Sequence, residues 1–178
     1  MAKQVSTTYS NALFGLALEQ NKIDALFSEV LAVREGIEQN KEFLKLLCHP
    51  SIDQSQKIDV VENIFKDKAD NDLTGLFIMM IKKDRQHEIL AVLDAFIEKV
   101  KKYKGIGVAF ITSAIHLNDE QKSNIEAKLL ETTSYREIEG NYAVNESLIG
   151  GMVIRIDDRV VDSSIKTQIE NMAKTLRG

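Results

Sequence analysis

Proline is nearly missing from this chain: Pro50 is the only one among 178 residues, and tryptophan does not occur. With a single residue able to break them, helices can run uninterrupted over most of the length. Cysteine is as scarce. Cys48 stands alone, which excludes an intrachain disulfide and any metal site needing two thiolates, and fits a reducing compartment. Positive charge is not in excess, since 23 Lys and Arg face 27 Asp and Glu for a formal net charge of -4. Nothing here would track a phosphate backbone, so nucleic acid is excluded as the expected partner. Hydrophobic residues reach 44%, yet charge interrupts every apolar run well before the roughly 20 residues that span a bilayer. Direct membrane insertion is therefore not expected. The opening Met1-Ala2-Lys3-Gln4-Val5 carries neither an apolar signal core nor an Arg-rich transit pattern, so export and organelle import are not expected either.

The length suits one large or two small domains, and what is present divides near Gly105. From Val5 to Lys104 the only glycines are Gly15, Gly36 and Gly75, and apolar residues recur at steps of three and four. Val5, Tyr9, Ala12, Leu13, Leu16 and Ala17 form one helical stripe; Ile23, Leu26, Phe27, Val30, Leu31 and Ile37 form a second after a polar break. A short apolar piece, 43–47, stops at Cys48-His49-Pro50, because a residue before proline is pushed out of the helical region. Asp53 with Gln56 three residues on reads as a capping pair for a helix whose inner face is Ile58, Val61, Ile64 and Phe65. Two more helices carry Leu73, Leu76, Phe77, Met80 and Ile81, then, from about Arg85, Ile89, Leu90, Leu93, Phe96, Ile97 and Val100. The last ends in Lys99, Lys101, Lys102 and Lys104, where cations suit the negative helix terminus.

From Gly105 the period falls to two. Val108-Ala109-Phe110-Ile111-Thr112 has strand composition, and Asn118 with Gln121 predicts a capping box for a helix burying Ile125, Leu129 and Leu130. The segment 137–144 alternates as a strand with one covered face, and Gly150-Gly151 leads into a hairpin that turns at Asp157-Asp158. A final helix, 164–176, carries a stripe of Ile165, Ile169, Met172, Ala173 and Leu176 that faces either the sheet or a partner. The fold class expected is α+β: an N-terminal six-helix bundle over 1–104 and a small C-terminal α/β domain over 105–178, joined at the hinge Lys104-Gly105-Ile106-Gly107.

No constellation of catalytic groups emerges, and neither cofactor nor metal is expected. Gly105-Ile106-Gly107 precedes its strand and lacks the third glycine of a dinucleotide loop. Gly150-Gly151 is followed by no Lys-Ser/Thr and reads as a bulge or close backbone packing. Ser113, His116 and Asp119 have the residue types of a hydrolytic triad, but at three-residue spacing they sit on one strand end and helix start, and nothing in that placement suggests a His that bridges both partners. Asp84, His87 and Glu88 read as a solvated face, Asp157, Asp158 and Asp162 as turn and cap residues, and Cys48 as a buried structural thiol.

Several stretches together resemble a known family over nearly the whole chain. Tyr9-Ser10-Asn11-Ala12-Leu13-Phe14-Gly15-Leu16-Ala17, Leu47-Cys48-His49-Pro50-Ser51-Ile52 with Lys57, and Asp84-Arg85 are similar in order and spacing to segments of the delta subunits of bacterial F-type ATP synthases. That family is the counterpart of the mitochondrial oligomycin-sensitivity-conferring protein. Ile111-Thr112-Ser113-Ala114 with Leu117, then 147–151 and 160–164, continue the resemblance. The chain departs from it at Thr8, usually basic, at His116, commonly proline, and at Asp157 and Ser163, often glycine.

The resemblance implies a non-catalytic stator connector. Its helical domain would bind N-terminal helical segments of the alpha subunits, and its C-terminal domain would hold peripheral stalk subunit b, at the cytoplasmic face of the bacterial inner membrane. Mapped through it, Tyr9, Ala12, Leu16, Leu76, Met79 and Met80 are candidates for the alpha-subunit groove, because helix-in-groove binding needs apolar residues between neighbouring helices. Ile165, Ile169, Met172 and Leu176 are candidates for holding the stalk. Two other classes stand beside this reading: an unrelated helical adaptor that takes another amphipathic helix, and a small nucleotide-binding enzyme using the glycine pair.

Overall fold

A computed structural model describes residues 2–66 and 69–177. The chain forms two compact units, Met1–Val100 and Lys101–Gly178. The first is helical: α1 (Ala2–Glu19), α2 (Ile23–Gln39), α3 (Lys41–Cys48), α4 (Gln54–Phe65), α5 (Asn71–Lys82) and α6 (Ile89–Lys104), the last continuing past the boundary of the unit. A 3-10 turn, Gln86–Glu88, precedes α6. Each stripe closes on one core, in which Leu13, Val30, Leu47, Val61, Phe77, Met80, Leu93 and Phe96 are 2% exposed or less.

In so glycine-poor a segment, helix ends need other residues that tolerate positive φ. Asn21 (φ 53) closes α1, with Asn21 N–H donating to Leu18 O and Lys22 N–H to Ala17 O. Asp84 (φ 56) closes α5 in the same way, through Asp84 N–H to Ile81 O and Arg85 N–H to Met80 O. Both are the paired bonds of a Schellman ending, which Asn and Asp can supply because a short polar side chain tolerates the left-handed region. Gly105 (φ 74) follows α6.

Three expectations for this unit are corrected. Cys48 is exposed, because Leu47, at 0% exposure, takes the inward position of the last turn of α3. Asp53 is the N-cap of α4, yet its side chain accepts no bond from the first turn; it lines a polar cavity instead. Ile64 is 42% exposed and borders an apolar cavity with Val33, Gly36 and Phe43, while the inward places on α4 go to Val61, Phe65 and the stem of Lys57.

The second unit holds a four-stranded mixed sheet in the order β2-β1-β3-β4. Its strands are β1 (Ile106–Ser113), β2 (Glu137–Val144), β3 (Met152–Ile156) and β4 (Arg159–Asp162). β1 and β2 are parallel, joined by the crossover helix α7 (Asp119–Thr132), whereas β3 pairs antiparallel with both β1 and β4. The register puts Ala109, Ile111, Ile138, Ile154 and Ile156 on one face, where Ile125 and Leu129 of α7 cover them. The opposite face carries Phe110 beside Arg155, and Arg155 beside Val160. A two-residue turn joins β3 to β4, with Asp157 at φ 49, so the position often held by glycine in the family does require the left-handed region. The last helix is α8 (Ile165–Arg177).

Candidate functional site

The sequence candidates lie on α1 and α5 of the first unit and on α8 of the second. In the first, α1 packs against α5. Residues 9, 12 and 16 follow the three-and-four step of one helix face; Tyr9 is half-buried, Ala12 exposed and Leu16 41% exposed. On α5, Met79 is 52% exposed, while Leu76 (8%) and Met80 (1%) lie in the core beneath it. The six candidates thus separate into a surface set and two residues that support it from inside. Sequence reasoning passed over two glycines on the same helices. A Cβ added at Gly15 or Gly75 would meet nothing within 4 Å, so these glycines leave open backbone surface on α1 and, one turn before Met79, on α5. A glycine inside a helical pattern was the available signal.

Polar contacts hold α5 in this position. Asp70 caps it, accepting from Asp72 N–H at 3.0 Å, and pairs with Lys22 Nζ at 3.0 Å. The Asp72 amide, followed by the Lys22 ammonium, keeps the Asp70 carboxyl below the usual carboxylate range. On α1, the Lys99 ammonium lies 5.0 Å from the centre of the Phe14 ring and donates to Asn11.

The second surface is built on α8. Ile165, Ile169 and Met172 are 43%, 52% and 66% exposed; the side chain of Leu176 lies outside the described residues. Burying apolar residues on one side of a helix is what normally repays its ordering, and within its own unit α8 buries none of these three. Its start is nevertheless well anchored. Asp162 Oδ1 accepts from Ser164 N–H at 2.8 Å and its Oδ2 from Thr167 Oγ1 at 2.7 Å, and these donors, Ser164 first, hold its carboxyl below the usual range. Phe110 (56% exposed) and Val160 (60%) add apolar area on the opposite sheet face; the period-two alternation of β1 was the clue to Phe110, and it was spent on finding the strand.

The glycine pair is occupied by the chain itself. A Cβ at Gly150 would lie 2.5 Å from Ile165 Cδ1, and at Gly151 (φ 75) one would lie 2.3 Å from Ser163 O. These glycines let the start of α8 approach β3, a packing role. Among the described residues there is no group of three His, Cys, Asp or Glu placed to hold a metal. None of the described helices is long and apolar enough to cross a membrane.

Known proteins resemble this chain over nearly its whole length. A family model described as "ATP synthase delta (OSCP) subunit" matches residues 5–176. ATP synthase subunit delta of Lachnoclostridium phytofermentans is 46% identical over 176 residues, covering 99% of this chain and 97% of the relative. The subunit delta of Desulforamulus reducens is 30% identical over 172 residues, covering 97% and 94%. Among solved structures, a chain of the Toxoplasma gondii mitochondrial ATP synthase hexamer shares the fold, with a TM-score of 0.79, 19% identity and 97% coverage of both chains.

Proposed function

Since the chain belongs to the ATP synthase delta (OSCP) subunit family, whose members are non-catalytic subunits of the complex, we propose that it works as a mechanical connector in the stator. The helical unit binds N-terminal helical segments of the alpha subunits, and the second unit holds peripheral stalk subunit b. Proton-driven rotation then turns the rotor instead of spinning the catalytic head with it. The complex is membrane-associated, and this subunit sits peripherally, on the cytoplasmic face of a bacterial inner membrane.

The observation that carries this reading is the pair of separate apolar surfaces, one per unit, that each unit leaves uncovered. A tie between two bodies needs two ends, and each end here has what an amphipathic helix seeks. On the helical unit, Tyr9, Ala12, Leu16 and Met79 supply apolar contact, while Gly15 and Gly75 allow close approach of a partner backbone. Leu76 and Met80 act from the core, by fixing the seam between α1 and α5. On the second unit, Ile165, Ile169, Met172 and Leu176 form the stalk contact, extended by Phe110 and Val160.

The test is a titration of the purified chain with a peptide from the N-terminal helical segment of an alpha subunit. Met79→Lys places an ammonium in the apolar contact and should weaken binding by about tenfold or more, because a buried unpaired charge is costly. Met79 is half-exposed in the free chain, so the variant should keep its helical circular dichroism. A folded Met79→Lys chain with unchanged affinity would overturn the groove assignment.

A further inference from the structure

Among the described residues, four other than glycine hold a positive φ, and three of them, Asn21, Asp84 and Asp157, have the short polar side chains that tolerate it. The fourth is Ile149, at φ 67 and ψ −40. A β-branched side chain is strained there, because its branches crowd the backbone. Glycine stands next in the chain at Gly150 and Gly151, yet of that pair only Gly151 has a positive φ. Burial does not offset the strain either, since Ile149 is 67% exposed. Strained residues persist where their surroundings hold them, and they gather at functional sites.

The backbone is tied down on both sides of Ile149. It closes a 3-10 turn, Glu146–Leu148, in which Asn145 Oδ1 accepts from Ser147 N–H at 3.1 Å, and Ile149 N–H donates to Glu146 O at 3.0 Å. Beyond it, Gly150 O accepts from Ile165 N–H at 3.0 Å, and Gly151 O accepts from Ala114 N–H at 3.3 Å. Ser113 Oγ donates to Ile115 O at 2.6 Å. These bonds gather the end of β1, the segment before β3 and the start of α8 at one end of the sheet. Three isoleucines are exposed along that rim: Ile115 at 68%, Ile149 at 67% and Ile165 at 43%. Single exposed apolar residues are ordinary, whereas several in one place mark a contact.

The rim continues into α8. Gly150, the residue after Ile149, is the one whose added Cβ would collide with Ile165, the first residue of the apolar stripe. Along that stripe Ile165, Ile169 and Met172 are spaced by four and then three, the narrow seam that one helix offers to another. We propose, resting on the stalk reading of the second unit, that a helix of subunit b lies along this seam and extends over the rim, with Ile149 as its anchor. The strained turn holds the isoleucine outside its own core, already in place for the apolar face of the partner, so binding has little to order there.

The experiment measures binding of the full chain to the soluble part of subunit b, together with the urea midpoint of each variant. Ile149→Gly removes the anchor and relieves the backbone. It should weaken binding about tenfold, with a midpoint equal to or above that of the unmodified chain. Ile149→Val keeps a β-branched apolar group and should retain most of the affinity. Ile169→Asn, in the middle of the seam, should also weaken binding. If Ile169→Asn weakens binding and Ile149→Gly does not, the anchor is overturned and the stalk reading stands. If neither variant weakens binding, both are overturned. A lowered midpoint in Ile149→Gly would assign the isoleucine to stability and overturn the proposal. So would a dimer of the unmodified chain that Ile149→Gly dissolves without changing the affinity for subunit b, since the rim would then belong to a second copy.

Discussion

Tyr142 carries the most displaced phenol of the second unit. Burial first, then the hydrogen bond its hydroxyl donates to Glu126 at 2.8 Å, pushes its pKa up to about 12. An unfolded tyrosine titrates near 10, so folding favours the neutral form. The resulting stability is fully present below about pH 10 and is lost as pH rises through about 12. Alkaline unfolding followed by circular dichroism should show this loss, and Tyr142→Phe should remove that pH dependence; an unchanged stability profile between those limits would count against the Glu126 bond. Other single residues explain where the chain departs from its relatives. Asp157 can stand where glycine is common because it tolerates the positive φ that its turn requires. Gly151 cannot be exchanged so freely, since any side chain would collide with the Ser163 carbonyl.

At the scale of elements, α7 shows how local chemistry supports modest packing. It buries only Ile125 and Leu129 fully, so its N-terminal cap matters. Asn118 Oδ1 accepts from Gln121 N–H at 2.8 Å, and Asn118 N–H donates to Gln121 Oε1 at 3.0 Å. Asn118→Ala should cost about 1 kcal/mol, read as a lower urea midpoint with an unchanged slope. This capping box was fully legible in the sequence because both partners lie on one turn. The pair Asp53 and Gln56 had similar spacing and did not form a cap, since Asp53 borders a cavity built from residues around Asp84 and Gln86, distant in sequence. The stripes of α1, α2, α5 and α6 were legible for a related reason: a period of three to four marks the buried face whatever the neighbour is. Val92 of α6 was missed and is 0% exposed, because one extra neighbour widens the buried stripe, and only the assembled core says where neighbours are.

For the whole molecule, the consequence of two units is that their functions should separate. Removing 165–178 takes away α8, which buries none of Ile165, Ile169 or Met172 in its own unit. The truncated chain should lose binding to stalk subunit b in a pull-down while retaining the alpha-segment peptide. Loss of both would mean general unfolding, and retention of both would remove α8 from the stalk contact. By itself the sequence determined the elements and their order: helical periodicity before Gly105, alternation after it, and the lone proline and the capping box as punctuation. These follow from interactions between near neighbours in the chain. Tertiary structure decided which apolar residues stay outside. Met79 and Met80 are adjacent and chemically identical, yet one is 52% exposed and the other 1%, because the neighbours that cover a side chain come from other helices. It also decided that Cys48 faces solvent and that Lys57 and Gln86 meet in one cavity, since burial depends on residues far apart in sequence that no local pattern brings together.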